Sequence, residues 1–137
     1  MEKEKIERIV KTYYDALEEG KILGRKCKTC GHVEYPPFLI CNTCGGLETE
    51  WYEMSGKAMC TQILPPAAAF PAPDLQAIAG DYWVAAVKPE ESDEVGTCLV
   101  NIDPSRYDEI REKLPVPVRP VILQDEDVKF VMWELDE

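Results

Sequence analysis

The sequence predicts a mainly β protein with an N-terminal α-helix, a small metal-binding module and a five-stranded barrel. Three observations lead to this prediction. Apolar residues recur at helical spacing near the start of the chain, two matching Cys pairs follow within residues 26–46, and residues 56–135 read as strand, strand, strand, helix, strand, strand. We therefore expect a docking helix over residues 1–20, the metal module over residues 21–50 and the barrel over residues 51–137.

Length and charge narrow the range of functions. The chain has 137 residues, 45% of them hydrophobic, which is enough for a core. Its net charge of −11 is uneven, because residues 1–35 carry eight Lys and Arg against seven Asp and Glu, whereas residues 36–137 carry seven against nineteen. An acidic body repels phosphate backbones, so we expect no nucleic-acid partner.

The compartment is predicted from what the sequence lacks. The charged stretch "MEKEKIERIV" has no secretory signal, and no apolar run is long enough to span a membrane. We therefore expect a cytoplasmic, reducing location without membrane attachment. There, paired cysteines more often bind metal or react than form structural disulfides.

Residues 3–19 fit an amphipathic helix. The apolar residues that share one face at three- and four-residue steps are Ile6, Ile9, Val10, Tyr13 and Leu17. Gly20 supplies a C-terminal stop. Two interpretations stay open, since the apolar face can pack on the chain's own domain or dock on another chain.

The stretch "KCKTCGHVEYPPFLICNTCGG", residues 26–46, is the strongest motif. Each Cys-x-x-Cys-Gly turn directs two sulfurs toward one point, and the Gly tolerates the positive φ that such a turn tends to need. Two such turns facing each other give four sulfurs in a tetrahedron, as in a closed structural zinc site. A redox-active pair is the weaker alternative, and four thiolates also suit iron. With every ligand supplied by protein, the metal would be structural.

A basic cluster surrounds the first Cys pair and consists of Lys21, Arg25, Lys26 and Lys28. It is either a solvated loop or a contact with the phosphates of a nucleotide-bearing ligand such as CoA, or with a partner. His32, the single histidine, is expected at the surface or in support of the metal site.

The remaining residues predict a barrel. The expected strands cover residues 56–64, 82–89, 95–102, 116–124 and 128–135, with a helix at 103–114 and a long Pro-rich loop at 65–81. Asp103 is the expected cap of that helix and Pro104 its first residue. This order is typical of an OB-type barrel, a Greek key whose helix plugs one end.

Several side chains in the barrel carry more specific expectations. Tyr107, Ile110 and Leu114 should line the inner side of the helix. Pro117 and Pro120 place the fourth strand near an edge. Cys98 is expected to be a buried core thiol that shares a face with Val100 and Ile102. Four aromatics suit either the core or base stacking: Tyr82, Trp83, Phe130 and Trp133.

Three stretches together resemble one known family. They are "YYDALEEGKILGRKC", the doubled Cys ribbon with Tyr35 and Pro36 before its second pair, and five strands that begin after Trp51. Nearly the whole chain resembles the DUF35 family, acyl-CoA-associated proteins with a rubredoxin-like zinc ribbon and an OB-fold. The resemblance implies a structural Zn²⁺ and a ribbon that reaches toward a larger catalytic subunit. It implies four ligands: Cys27, Cys30, Cys41 and Cys44.

The same resemblance implies an accessory role. Family members resemble small subunits that bind beside thiolases, hydratases or aldolases acting on acyl-CoA thioesters. Thiolase chemistry needs a reactive Cys with a base, whereas Cys60 and Cys98 lie in strand patterns without a His nearby in sequence. We therefore predict a non-catalytic scaffold subunit, most simply of a thiolase complex, with a benzoylsuccinyl-CoA-type thiolase as one version.

Two alternatives use the same modules. Ribbons and OB barrels also serve as nucleic-acid-binding modules, which would require a basic stripe with exposed aromatics. A rubredoxin-like electron carrier would require iron in the ribbon. One departure from the family pattern bears on the partner, because the loop after the first barrel strand is longer here and the next strand begins "DYW".

Overall fold

The computed structural model describes residues 8–65, 73–126 and 128–137 of the chain. The helices found there are α1 (Arg8–Glu18), α2 (Pro73–Ala79), a 3-10 helix (Pro104–Arg106) and α3 (Tyr107–Lys113). The strands found there are β1 (Leu23–Cys27), β2 (Val33–Glu34), β3 (Thr49–Glu53), β4 (Ala58–Leu64), β5 (Trp83–Pro89), β6 (Val95–Leu99), β7 (Val116–Asp125) and β8 (Val128–Leu135). None of the described helices has the length and apolar character that a membrane span requires.

The last five strands close into a barrel in the order β4-β5-β6-β8-β7. Neighbouring strands are antiparallel except β6 and β8, which pair in parallel through Leu99 and Trp133. This order, with α3 between the third and fourth barrel strands, is that of an OB-fold. The predicted fold class, mainly β with a leading helix, a Cys-rich ribbon and a five-stranded barrel, is confirmed.

The helix between β6 and β7 begins as predicted. The Asp103 side chain accepts a hydrogen bond from the backbone N–H of Ser105 at 3.0 Å, and Pro104 follows as the first helical residue. The first turn is 3-10 and the rest is α-helical. Ile110 is buried, and the Tyr107 hydroxyl donates to the carbonyl oxygen of Ile63 at 3.2 Å, which ties the helix to β4. The predicted inner face is therefore correct.

The prediction that β7 lies near an edge was wrong, because β7 pairs with β4 on one side and β8 on the other. The Pro117 carbonyl accepts from Asp136, so the Pro117 nitrogen also points toward the β8 side and away from β4. Pro120 is an odd number of residues further along the strand, so its nitrogen points to the other side, toward β4. The β4–β7 pairing ends at Val118, so no hydrogen bond with β4 is lost at Pro120. The two prolines therefore interrupt neither ladder where it is paired.

Two other expectations also need correction. Cys98 is only half-buried, and Leu99 is the buried residue of β6. The strand ends at Leu99, so the alternation of side chains between the two faces does not continue to Val100 and Ile102. Asn101, with φ of 55°, marks that break. Part of the predicted loop 65–81 is the helix α2. The prolines that precede this helix led to the prediction of a loop, although the residues of α2 are compatible with a helix. Residues 66–72 of that loop lie outside the described residues.

The ribbon is a separate three-stranded sheet in the order β2-β1-β3. Strand β3 stays paired with β1 as far as Glu53, so this sheet crosses the boundary expected at residue 50. The division into three segments stays a prediction.

Helix α1 packs on its own chain. Leu17 is 1% exposed and belongs to the same buried cluster as Ile22 of the ribbon and Trp133 of β8. Glu18 lies 3.4 Å from Lys129 of β8. These contacts favour the first of the two interpretations of this helix, while Ile6 of its predicted apolar face lies outside the described residues.

We expect Leu17→Ala to lower the free energy of unfolding by about 2–5 kcal/mol, because it opens a cavity where helix, ribbon and barrel meet. Thr12→Ala, at an exposed position of the same helix, is the matched control and should change it by less than about 0.5 kcal/mol. Urea unfolding followed by circular dichroism measures both variants. Equal stability of the two would show that α1 is not part of the fold's core.

Candidate metal centre

Four cysteine sulfurs meet at one end of the ribbon. The Sγ atoms of Cys27, Cys30, Cys41 and Cys44 all lie within 4.8 Å of one another, and none is in a disulfide. The Cys27–Cys44 and Cys30–Cys41 distances are both 3.6 Å. A tetrahedral metal with sulfur bonds of about 2.3 Å has sulfur–sulfur edges of about 3.8 Å. The four thiols therefore fit a structural metal.

The two halves of the cluster are built alike. The N–H of Gly31 donates to the carbonyl oxygen of Cys27 at 3.0 Å, and the N–H of Gly45 donates to that of Cys41 at 2.9 Å. Both glycines have positive φ, 81° and 73°, as the sequence predicted for these turns. Each turn thereby brings its two sulfurs to the same side of the chain.

Backbone amides favour the thiolate at the first Cys of each turn. The N–H groups of Cys30 and Thr29 donate to the Cys27 sulfur and lower the pKa of that thiol to about 6, although burial opposes the shift. In the second turn the corresponding amides lower the pKa of Cys41. Because a metal binds thiolates, these amides prepare one ligand in each turn.

The pKa of the second Cys of each turn shifts the opposite way. At Cys30 the amide of His32 lowers the pKa, but burial and the hydrogen bonds with the other sulfurs outweigh it and raise the pKa to about 12. At Cys44 the amide of Gly46 lowers the pKa in the same way, and the net pKa is again raised, chiefly by the hydrogen bond with Cys27. Metal binding would therefore release protons from these two thiols.

Gly46 is a part of the site that the sequence did not reveal. A Cβ atom there would lie 3.2 Å from the Sγ of Cys44 and 3.3 Å from that of Cys27. Both distances are shorter than most Cβ contacts in proteins, so a side chain at this position would require the sulfurs or the backbone to shift. The signal was present as the second Gly of "CGG", but its meaning depends on how the two turns face each other.

Polar side chains brace the cluster from outside. The Glu34 carboxylate accepts from the backbone N–H of Asn42 at 2.9 Å and from its side-chain Nδ2 at 3.2 Å. His32 Nε2 lies 3.4 Å from Glu34 and 3.3 Å from Asp93, which belongs to the β5–β6 connection of the barrel. His32 therefore lies where the ribbon meets the barrel, and its expected role at the surface or in support of the metal site stays a prediction.

The basic cluster does not form one surface. Arg25 and Lys26 are adjacent in β1, so their side chains point to opposite faces of the ribbon sheet. The Arg25 guanidinium lies 4.6 Å from the Trp51 ring centroid, and the Lys26 ammonium lies 5.7 Å from that of Tyr52. Their joint role as a phosphate or partner contact, with the exposed Lys21 and Lys28, stays a prediction.

An exposed apolar surface lies beside the cluster, and we call it the apolar tip. It consists of Phe38, Leu39, Ile40 and Leu47, which are 54%, 39%, 53% and 75% exposed. Residues 35–47 contain no charged side chain, although 30% of the chain is charged. The run of uncharged residues was the sequence signal that could have predicted this exposed apolar surface.

The aromatics considered for base stacking are mostly unavailable. Tyr82, Trp83 and Trp133 are buried, and Phe130 is half-buried. Trp83 packs edge-to-face on Tyr107, with ring centroids 5.5 Å apart. Burial therefore accounts for Tyr82, Trp83 and Trp133, and the structure gives no support to a nucleic-acid-binding face built from them.

Comparisons with known proteins agree with this architecture. Residues 15–50 match the family model described as the ChsH2 rubredoxin-like zinc ribbon domain. A DUF35 domain-containing scaffold protein of Methanothermobacter thermautotrophicus is 29% identical over 121 residues, which cover 86% of each chain. A probable enoyl-CoA hydratase alpha subunit of Thermomonospora curvata is 26% identical over 129 residues, and the match spans 83% of this chain but only 38% of that subunit.

Solved structures match the fold along nearly the full chain. An Ltp2-ChsH2(DUF35) aldolase structure superposes with a TM-score of 0.70 at 23% identity and covers 97% of this chain and 98% of that one. A DUF35 protein of unknown function from Sulfolobus solfataricus gives a TM-score of 0.55 at 15% identity, with 96% and 85% covered. Together, the matches confirm the resemblance to the DUF35 family.

We expect one metal ion per chain, removed by a strong chelator or by the double substitution Cys27→Ser and Cys41→Ser. Elemental analysis of the purified protein measures the stoichiometry and separates zinc from iron, and an iron site would be coloured. Loss of the metal should unfold the ribbon, since binding energy of a structural site is folding energy. A metal-free protein with an unchanged ribbon would contradict the assignment.

We expect Gly46→Ala to weaken metal affinity at least about tenfold, because its Cβ would push against two of the sulfurs. Gly96→Ala is the matched control, since a Cβ at Gly96 meets nothing within 4 Å. Competition with a chromogenic chelator measures both affinities. Equal affinities would show that the backbone at Gly46 can move away from the cluster without cost.

Proposed function

We propose that this DUF35-type chain is a non-catalytic scaffold subunit of a complex that processes acyl-CoA thioesters. Its ribbon would hold Zn²⁺ through Cys27, Cys30, Cys41 and Cys44, and its partner would be a thiolase or another acyl-CoA enzyme. The observation that carries the proposal is the apolar tip, an exposed uncharged surface built directly on the sulfur cluster.

The donor set supports a structural zinc. Four thiolates are soft ligands that Zn²⁺ accepts in a closed tetrahedron, and they leave no position for a substrate. When bound, the ion would cross-link β1 to the segment that bears the tip. The chain's own contribution is to present four sulfurs and the amides that favour their ionisation.

The apolar tip supports docking on a protein. Exposed large apolar side chains scattered singly are ordinary, whereas adjacent ones mark interaction sites. Phe38, Leu39 and Ile40 are consecutive, all exposed, and lie in a stretch without charge. A partner that buries them gains free energy without having to desolvate an ion.

The remaining thiols support a non-catalytic role. Cys60 is buried in β4, and burial raises its pKa to about 11. Burial also raises the pKa of Cys98. A nucleophilic Cys needs a lowered pKa or an adjacent base, and the imidazole of His32 contacts Glu34 and Asp93 instead.

The partner class is proposed from the names of similar proteins. One relative is named a scaffold protein, another a probable enoyl-CoA hydratase alpha subunit, and one solved structure an aldolase. We carry the acyl-CoA enzyme class over to this chain and propose a thiolase, with the benzoylsuccinyl-CoA type as the version to test first. The scaffold would either shape the partner's substrate cavity or hold successive enzymes together. Within the predicted basic cluster of Lys21, Arg25, Lys26 and Lys28, the three lysines are the proposed contacts to CoA phosphates or partner, whereas the Arg25 guanidinium is already bonded to Thr49.

We expect the chain to co-purify and co-elute with the acyl-CoA enzyme encoded beside its gene when the two are expressed together. Ile40→Ser should abolish or strongly weaken co-elution, because it removes apolar area from the tip. Leu64→Ser is the matched control, since Leu64 is an equally exposed apolar residue on the barrel, 47% against 53%.

Size-exclusion chromatography and assay of the partner enzyme with and without this chain measure the outcome. Independent elution together with unchanged enzyme activity would overturn the proposed function. Co-elution that Ile40→Ser leaves intact would keep the complex and remove the tip from its interface.

A further inference from the structure

We infer that Arg25 is a positioning residue that fixes the apolar tip through Thr49 in the geometry needed for docking. This inference rests on the proposed function, because it names what holds the docking surface in place. It assigns to Arg25 a role distinct from the phosphate contact considered for the basic cluster.

The Arg25 guanidinium is directed at one residue across the ribbon sheet. Its Nη2 donates to the backbone carbonyl of Thr49 at 2.8 Å and to the Thr49 hydroxyl at 2.7 Å. Its Nε donates to the same hydroxyl at 3.2 Å. The ring of Trp51 lies against the guanidinium at 4.6 Å. Stacking and three hydrogen bonds thus hold this half-buried side chain in one orientation.

These contacts decide the direction of the next hydrogen bond. A guanidinium only donates, so the Thr49 oxygen is an acceptor toward Arg25. The single hydroxyl proton of Thr49 is then available to the carbonyl oxygen of Leu39, which lies 3.1 Å away. Arg25, Thr49 and Leu39 therefore form a chain of hydrogen bonds in which Arg25 donates to Thr49 and Thr49 donates to Leu39.

That chain ends in the middle of the apolar tip. Leu39 lies between Phe38 and Ile40 in a segment that is not part of a described strand. The next anchors are Cys41, whose N–H donates to the carbonyl oxygen of Gly46 at 3.0 Å, and Asn42, whose N–H and side chain both donate to Glu34. The tip backbone is therefore attached to the ribbon sheet on both sides of Ile40, by Arg25 on one side and Glu34 on the other.

The same geometry argues against an anion on Arg25. Bidentate binding of a phosphate uses a pair of guanidinium nitrogens, and here Nε and Nη2 are both committed to Thr49. Burial also lowers the pKa of Arg25, which marks an environment that disfavours charge, with Glu50 acting in the opposite direction. An anion that bound two guanidinium nitrogens would have to break the chain that holds the tip.

The occupant of the tip is the partner acyl-CoA enzyme, through an apolar depression on its surface. A second copy of this chain is disfavoured, because two bodies that each carry a net charge of −11 repel one another. A rigid tip loses less conformational entropy on binding than a mobile one, so its anchoring translates into affinity. Weaker anchoring should therefore weaken docking without any loss of contact area.

The test compares Thr49→Val with Arg25→Lys. Valine keeps the shape and strand preference of Thr49 but has no hydroxyl, and lysine keeps the charge of Arg25 but not its fork. Thr97→Val, at a half-buried strand position of the barrel, and Arg111→Lys, at an exposed position of α3, are the matched controls. Metal content and thermal unfolding of every variant show that the ribbon and barrel remain intact.

Two readouts apply to each variant. Backbone ¹⁵N order parameters of residues 38–40 should fall from about 0.85 to below about 0.6 in both Thr49→Val and Arg25→Lys. Affinity for the acyl-CoA enzyme encoded beside the gene should fall about tenfold in each. The double variant should be no weaker than either single one, because both break the same chain of hydrogen bonds.

The outcomes separate the inference from the proposed function. If Arg25→Lys keeps full affinity while Arg25→Met loses it, charge is what matters and the positioning role is overturned. If the tip loosens but affinity is unchanged, the tip is not the docking surface, although the complex stands. If the unsubstituted chain does not bind the enzyme at all, the proposed function fails, and the order parameters still decide whether Arg25 anchors the tip.

Discussion

The ribbon depends on the convergence of four sulfurs. Few of its residues are fully buried, and Cys27 and Cys41 are two of them. A segment of this size cannot exclude enough apolar surface from water to fold by itself, so a cross-link has to replace a core. The structural metal that this Cys set fits would provide that cross-link. The turns, the close approach of Gly46 and the apolar tip all rest on it.

The cross-linked ribbon is continuous with the barrel. Ile22 and Val33 of the ribbon belong to one buried cluster with Trp133 of β8 and Leu17 of α1. Polar contacts flank this apolar joint, since Ser55 donates from its backbone N–H to Glu91 at 2.7 Å and His32 lies beside Asp93. A joint that is apolar inside and hydrogen-bonded at its rim resists bending. The direction in which the tip projects is thus set by the same core that stabilises the barrel.

Local patterns predicted most of this architecture, and long-range contacts account for the rest. The double Cys turn, the Asp103 cap and the apolar face of α3 are each readable within a few residues. One error has a local cause, because Cys98 was placed in the core on a strand expected to continue past Asn101, a residue type that tolerates positive φ. The other has a non-local cause, because β7 is paired on both sides only through barrel closure, which joins strands far apart in sequence. The anchor at Thr49 was invisible for the same reason, since it appears only once β1 and β3 pair.

Charge and apolar surface then act together in the choice of partner. Residues 36–137 carry twelve more acidic than basic side chains, yet residues 35–47 carry none of either sign. An acyl-CoA enzyme holds a ligand with several phosphate charges, so an acidic barrel that approached its ligand entrance would be repelled. The tip has no Asp, Glu, Lys or Arg of its own, so its apolar side chains would gain from burial against the proposed partner. In the proposed complex, the barrel would disfavour wrong orientations and the tip would favour the right one, so repulsion and attraction would combine to give specificity.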